Sequence, residues 1–382
     1  MKYYIIAGEA SGDLHASNLI KELKQLDSEA DFRFWGGDLM AAQGGTLVRH
    51  YRDTAWMGVW EVLMHLKSIF RNLDECREDI LRYRPDVIIL VDYPGFNLRI
   101  ARFANEFGFK VFYYISPKIW AWNTGRVKKI KKWVDKMFTI LPFETDFFAK
   151  HGVPVVYSGN PILDAINERK YKDEKREDFL SRHGLPDRPI IAILPGSRTQ
   201  EIERLLPDML AMKKYFPEHQ FIVAGAPSFS SDYYNNFLPE REHVKVIFDE
   251  TYALLQQAKA AMVTSGTATL EAALLNCPQV VCYKMWGGAF TDFVAKKIII
   301  KVPYISLVNL IAGREVVAEL FQKDMTGENL KAELQKILFD ESVRHKIFDG
   351  YDEIRQIMGG PGSSKKTARL MWEALQKLVV SG

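Results

Sequence analysis

The chain has 382 residues, with 51 Lys and Arg against 48 Asp and Glu for a formal charge of +3, and it is 47% apolar and 26% charged. At roughly 150 residues per domain that is two or three globular domains with cores large enough to need no disulfide or metal staple. Disorder, collagen and the small secreted scaffold are excluded as whole-chain descriptions, and the near-balanced charge leaves nucleic-acid binding to local clusters only.

Residues 2–7 (KYYIIA) read as a strand running into the tight turn GEASGD, and His15 to Leu26 follow a helical pattern. Phe32 to Trp35 is the next strand, ended by Gly36-Gly37, and residues 58–82 are helical. Asp86 to Val91 reads as a buried strand broken by Asp92, Pro94 and Gly95; a helix to Phe107 and the strand Lys110 to Tyr114 follow. Short apolar strands alternating with amphipathic helices predict a parallel sheet covered on both faces. The stretch from Asn167 to Arg188 is polar and reads as a linker with a short surface helix. A second series of strands then begins: Ile190 to Leu194, Gln220 to Ala224, Val244 to Ile247, Ala261 to Thr264 and Gln279 to Cys282. Two such series predict two doubly wound domains facing a cleft, with ligands beyond the carboxyl ends of the strands. Residues 328–349 and 364–380 read as C-terminal helices split by GGPGSS at 359–364.

Cys76, Cys277 and Cys282 make no C-x-x-C pair and match no zinc spacing, which points to a reducing cytoplasm. The opening MKYYIIAGEASGD turns polar too soon for a signal peptide. No apolar stretch reaches the ~18 residues of a membrane span, which leaves surface attachment open.

Four strand ends carry candidate chemistry. In Gly8-Glu9-Ala10-Ser11-Gly12-Asp13 the glycines allow a tight turn, and the pattern is not G-x-G-x-x-G. Its carboxylates, Glu9 and Asp13, favour hydroxyl recognition, although a plain turn with a helix cap accounts for the same residues. Asp92 ends a buried strand, where its carboxylate can accept a proton, hold a hydroxyl or cap the next helix. Leu194-Pro195-Gly196-Ser197-Arg198 repeats the strand–glycine–helix arrangement with an arginine, whose planar fork suits phosphate oxygens; pairing with Glu201 is the plainer alternative. Ser265-Gly266-Thr267 opens a helix as an anion site of backbone N–H groups, with Glu271 one turn deeper within reach of sugar hydroxyls.

Two stretches suggest a surface. RVKKIKK at 126–132, with Val127, Ile130, Val134 and Met137, reads as a basic amphipathic helix downstream of Trp120 and Trp122. Its cations Lys128, Lys129, Lys131 and Lys132 fit an anionic membrane surface, a nucleic acid or a plain solvated face. The apolar run Trp56, Met57, Val59 and Trp60 fits core or lipid contact. There is no H-E-x-x-H, D-x-D, P-loop or G-x-S-x-G, so a diphosphate would be neutralised by helix dipoles and arginine.

Several segments together resemble the lipid-A-disaccharide synthases, inverting glycosyltransferases of the two-Rossmann-domain (GT-B) type. They are GEASGD at 8–13, WMG at 56–58, DYPGFN at 92–97, YYISPKIWAW at 113–122, LPFE at 141–144, LPGSR at 194–198, SGTATLE at 265–271 and NLIAGRE at 309–315. The resemblance implies transfer of 2,3-diacylglucosamine from UDP-2,3-diacylglucosamine to 2,3-diacylglucosamine 1-phosphate, giving a β(1→6) disaccharide and UDP with no metal or cofactor. It implies Asp92 as general base and Glu9 as an essential carboxylate, with Ser11 and Gly12 in the substrate loop. Arg198, Ser265, Gly266 and Thr267 would hold the diphosphate, Glu271 the ribose, and Asn309 would be a polar contact in the nucleotide half. It further implies residues 1–165 as an acceptor, lipid and membrane-facing domain and 166–350 as a UDP-sugar domain. Residues 351–382 would form a helical segment returning to an N-terminal domain of the same or a second copy. Attachment would be peripheral, at the cytoplasmic face of the inner membrane of a Gram-negative bacterium, with a homodimer through C-terminal exchange and no nucleic-acid partner. Two positions depart from the family's pattern: Asn160 stands where histidine is common, and Val308 where proline is. A UDP-sugar epimerase on the same frame and a non-catalytic membrane or nucleic-acid adaptor are the competing readings.

Overall fold

The computed structural model describes residues 1–53, 66–117, 126–238, 244–284 and 303–380. The chain forms two compact units, Met1–Pro161 with Gly360–Gly382, and Ile162–Gly359.

The first unit holds seven strands: β1 Lys2–Ala7, β2 Asp31–Gly36, β3 Thr46–His50, β4 Val87–Val91, β5 Val111–Tyr114, β6 Lys136–Thr139 and β7 Val155–Tyr157. They pair in parallel in the order β3-β2-β1-β4-β5-β6-β7. The second unit holds six: β8 Ile190–Leu194, β9 Gln220–Gly225, β10 Lys245–Phe248, β11 Ala258–Thr264, β12 Gln279–Tyr283 and β13 Glu319–Phe321. These also pair in parallel, in the order β10-β9-β8-β11-β12-β13. Both are doubly wound, with the strand order reversing between β1 and β4 in one sheet and between β8 and β11 in the other.

The near-continuous apolar strands explain the layers. Along β1 and β4, Tyr4, Ile6, Ile88 and Leu90 enter one core, while Tyr3, Ile5, Ala7, Val87, Ile89 and Val91 enter the opposite one. This is the two-residue period of a strand buried on both faces. Buried tyrosine hydroxyls need partners. The Tyr4 hydroxyl donates to Asp79 at 2.8 Å, and the Arg33 guanidinium grips the same carboxylate with two bonds of 2.7 Å. The C-terminal helix Ser363–Val380 packs on Ala10–Leu26 of its own chain and adds Ala368, Met371, Ala374 and Leu375 to the second of these cores.

The structure corrects the sequence reading in three places. The sequence pattern does not mark strands β3, β6, β7 and β13: each has only three to five residues, and β3 and β13 mix polar with apolar residues and are mostly half-buried or exposed, while the apolar parts of β6 and β7 are two or three residues long. Met137 lies on β6, because the basic helix ends at Trp133. The helix expected over 328–349 is two, Gly327–Phe339 and Glu341–Met358. The break is at Asp340, whose carboxylate accepts the N–H groups of Ser342 and Val343 at 2.9 and 3.2 Å.

Candidate active site

The four candidate loops are brought together two by two. Ala7 at the end of β1 is in register with Val91 at the end of β4, so Glu9 and Asp92 flank the order reversal of the first sheet. Leu194 is in register with Val263, so the Gly196–Arg198 loop and the Ser265–Thr267 helix start flank the reversal of the second. Ligands of doubly wound sheets bind at these points.

In the first unit Glu9 and Ser11 are exposed at the start of the helix Ala10–Leu26. Gly12 is buried against β1, where a Cβ would sit 3.2 Å from that of Ala7; its contribution is close packing of helix on strand. Asp13 departs from the substrate-facing expectation. Its carboxylate is buried and accepts the N–H groups of Gly37, Leu39 and Met40 at 2.7, 3.1 and 3.2 Å, which fixes the loop after β2. Asp92 is half-buried at the end of β4. Asp92 and Tyr93 both lie in the left-handed region, with φ of 45° and 47°. Such backbone costs about 1–3 kcal/mol per non-glycine residue and concentrates at functional sites. The Tyr93 ring fills the space over Gly8, where a Cβ would lie 2.3 Å from it, so this turn requires glycine at position 8. Burial first and the Glu9 carboxylate second push the Tyr93 hydroxyl above its usual range, which ties Glu9 to the same corner.

His15 belongs to this helix and went unremarked in the sequence reading. Its Nδ1 is buried with no hydrogen-bond partner among the described residues, and burial lowers its pKa to about 4, so the ring is neutral at pH 7. Only its place four residues after Ser11 could have pointed to it.

In the second unit Arg198 is 83% exposed, its guanidinium 3.7 Å from Glu201. Exposure at that level leaves the ion pair weak and the arginine available. The Glu201 carboxylate turns instead into the loop, accepting the N–H groups of Ser197 and Arg198 at 3.0 and 3.3 Å. Gly196, at φ 108°, makes room for it, since a Cβ there would meet Glu201 Oε2 at 2.4 Å. The N–H groups of Ser197 and Arg198 are therefore taken, and the Arg198 side chain remains to meet an anion.

The helix Thr267–Leu274 starts without a side-chain cap, with Ser265 and Gly266 half-buried and Thr267 exposed. Ser265 Oγ is committed to the Ile305 carbonyl at 2.8 Å, so the helix start presents backbone N–H groups and Thr267. Thr264, the last residue of β11, has a buried hydroxyl with no partner among the described residues, a feature its apolar strand concealed. Glu271 accepts the Tyr252 hydroxyl at 3.0 Å; burial pushes its carboxyl above the usual range and that bond pulls it back. Both line a cavity of about 720 Å³, together with Arg169, Lys170, Tyr171 and the segment Phe248 to Ala253.

Asn309 is placed differently from a ligand contact. It is fully buried, with Nδ2 on the Val317 carbonyl and Glu319, and with Oδ1 accepting from Val316 and Val317. It clips the loop before β13, and the polar atoms wanted for a ligand are spent on that loop. Asn160 is likewise buried, with Nδ2 donating to the Ile140 carbonyl at 2.9 Å. Val308 is buried within the helix Leu307–Ala312.

Lys128, Lys129, Lys131 and Lys132 are exposed on the helix Arg126–Trp133, while Val127 and Ile130 enter the core. The apolar face is used internally, so this helix offers an outside partner charge alone. Trp56, Met57, Val59, Trp60, Trp120 and Trp122 lie outside the described residues.

Two doubly wound sheets, each with a polar loop pair at its order reversal, define a double-Rossmann fold. Solved structures of that fold include UDP-GlcNAc 2-epimerase from Neisseria meningitidis, with 13% identity and a TM-score of 0.60 over 99% of this chain and 100% of that one. The calicheamicin glycosyltransferase CalG4 shares 13% identity and a TM-score of 0.59 over 99% and 98% of the two chains. The family model for lipid-A-disaccharide synthetase matches residues 3–371. The lipid-A-disaccharide synthase of Geobacter metallireducens is 39% identical over 379 residues, 98% of this chain and 97% of its own length. This chain belongs to the lipid-A-disaccharide synthetase family.

Proposed function

We propose that the protein transfers 2,3-diacylglucosamine from its UDP derivative to the 6-hydroxyl of 2,3-diacylglucosamine 1-phosphate, with inversion. Within a family defined over nearly the whole chain, the observation carrying this reading is the division of chemistry. Carboxylates stand at the order reversal of the first sheet, and groups suited to a diphosphate at that of the second. Asp92 accepts the proton of the acceptor hydroxyl as its oxygen attacks the anomeric carbon. The bond from that carbon to the diphosphate oxygen breaks, and UDP leaves with the electron pair. Arg198 and the helix start at Thr267 receive the charge that develops on the leaving group. Glu271 takes the ribose hydroxyls at the cavity it shares with Tyr252. Epimerases of this fold share 12–16% identity with the chain, which speaks for the fold alone. Incubation with both lipid substrates followed by mass detection tests the reaction: disaccharide and UDP are expected in equal amounts, and UDP-sugar turnover without a second sugar would favour an epimerase.

Arg198→Ala should weaken UDP binding roughly ten-fold or more, since a charge-assisted hydrogen bond contributes about 1.5–3 kcal/mol. Calorimetry on the folded variant reads this, and an unchanged affinity removes Arg198 from the diphosphate site.

Attachment is peripheral, at the cytoplasmic face of the inner membrane. Among the described residues no helix is long and apolar enough to cross a bilayer, and the exposed lysines 128, 129, 131 and 132 supply charge to an anionic leaflet at ~1 kcal/mol each, screened by salt. Reversing all four to Glu should lower co-sedimentation with anionic vesicles at low salt and leave it unaltered with zwitterionic ones. Equal sedimentation of variant and parent with anionic vesicles assigns these lysines to solvent. A homodimer by exchange would set the Ala368 and Met371 face of the C-terminal helix on a second copy's Ala10–Leu26; light scattering at two concentrations reads it.

A further inference from the structure

The grip on Asp92 extends beyond its place at the end of β4. The left-handed backbone of Asp92 and Tyr93 persists only where the surroundings over-determine it. Both backbone polar atoms of Asp92 are held. Its N–H donates to the Tyr114 carbonyl at 3.1 Å. Its carbonyl accepts two side-chain donors at once, the Tyr113 hydroxyl at 2.6 Å and Asn97 Nδ2 at 2.7 Å. The Asn97 N–H donates in turn to the Tyr93 carbonyl at 3.0 Å. Tyr113 and Asn97 are both fully buried. Burial, with the Asp92 charge behind it, raises the Tyr113 pKa well above the usual range, so the hydroxyl stays protonated and remains a donor. Two buried side chains from different elements, β5 and the helix Pro94–Glu106, thus converge on one carbonyl at the strained turn.

We propose that Tyr113 and Asn97 are positioning residues that hold the Asp92–Tyr93 turn, and through it the Asp92 carboxylate, in the orientation proton transfer needs. The proposal rests on Asp92 being the base. Neither side chain reaches solvent. Asn97 Nδ2 also donates to the Val91 carbonyl at 3.2 Å and to that of Ile6 at 3.5 Å, so it ties the Asp92 turn to the ends of β4 and β1, while the Tyr113 hydroxyl donates to the Asp92 carbonyl. With the carbonyl released, the backbone relaxes toward an unstrained region and the Cα–Cβ bond of Asp92 swings with it. Misplacement of a reacting group by about 1 Å costs on the order of 10²-fold in rate.

The test is a double-mutant cycle on the full chain, with turnover followed long enough to quantify slow variants. Tyr113→Phe keeps the ring and deletes the donor; Asn97→Ala deletes the other. Each should lower kcat by roughly ten-fold or more, leave the KM of both substrates within about two-fold, and leave UDP affinity unchanged by calorimetry. In an Asp92→Asn background the same substitutions should lower the residual rate by less than two-fold, because groups acting through one residue lose their effect when it is gone. A merely structural role would lower the rate by the same factor in both backgrounds, and that result overturns the proposal. Wild-type turnover in both Tyr113→Phe and Asn97→Ala, beside an inactive Asp92→Asn, also overturns it while leaving the base in place. Near-normal turnover of Asp92→Asn removes the base reading and the clamp with it. Should one variant fail to fold, the other carries the cycle.

Discussion

Asp92→Asn should fold, bind UDP as the parent does and lose disaccharide synthesis by at least ~10²-fold. A sugar hydroxyl is a poor nucleophile at neutral pH, and a positioned carboxylate that takes its proton as the new bond forms contributes typically 10²–10⁴-fold. Asparagine keeps the shape and nearly the size of the side chain, so the strained turn and the bonds to its backbone carbonyl survive. It cannot accept a proton. UDP binding is the internal control, because Arg198, Thr267 and Glu271 all belong to the second unit. Steady-state turnover with calorimetry on the same preparation checks both halves. Glu9 is the rival, exposed one loop away at the end of β1. An active Asp92→Asn beside an inactive Glu9→Gln transfers the base to Glu9. Two active variants under saturating substrate dissolve the assignment of both strand ends.

Much of this arrangement was legible in the sequence because the physics that sets it is local. Strands such as VIILV at 87–91 and IIAIL at 190–194 are buried on both faces, and continuous apolar runs between glycine turns have few other fates. Their ends were therefore visible, and with them Glu9, Asp92, Arg198 and Thr267. The full strand order was not, because it depends on which strands pair across each sheet. Edge strands such as TLVRH at 46–50 escaped because exposure on the outer side removes the apolar signal. The commitments of polar side chains were equally hidden. Nothing in GEASGD separates Glu9, which is exposed, from Asp13, which is buried under three backbone donors 24 to 27 residues away. Nothing in the segment beginning at Asn309 says that its amide is spent on the chain before β13. Tyr113 reads as one more aromatic in a strand until its hydroxyl is found on the Asp92 carbonyl.

Asp13 should behave oppositely to Asp92: Asp13→Ala should cost stability and spare catalysis in whatever fraction remains folded. Both carboxylate oxygens are in use, Oδ1 accepting from Gly37 and Met40, Oδ2 from Leu39. Hydrogen bonds to a charged group contribute about 1.5–3 kcal/mol each, and removing the acceptor leaves buried donors unsatisfied. Partial relaxation of the loop after β2 makes the three losses less than additive, so the expected cost is about 3 kcal/mol or more. At ~2–4 °C per kcal/mol for a unit of this size, the melting temperature of the first unit should fall by roughly 6–12 °C. Asp13→Asn should fall between parent and Ala, because one oxygen can still serve Gly37 and Met40 while its amide nitrogen faces the Leu39 N–H, donor against donor. Thermal melts of the three proteins give the order, and turnover well below the lowest midpoint gives the catalytic comparison, expected within about three-fold of the parent. A variant that melts like the parent and yet loses turnover by ~10²-fold would return Asp13 to the substrate.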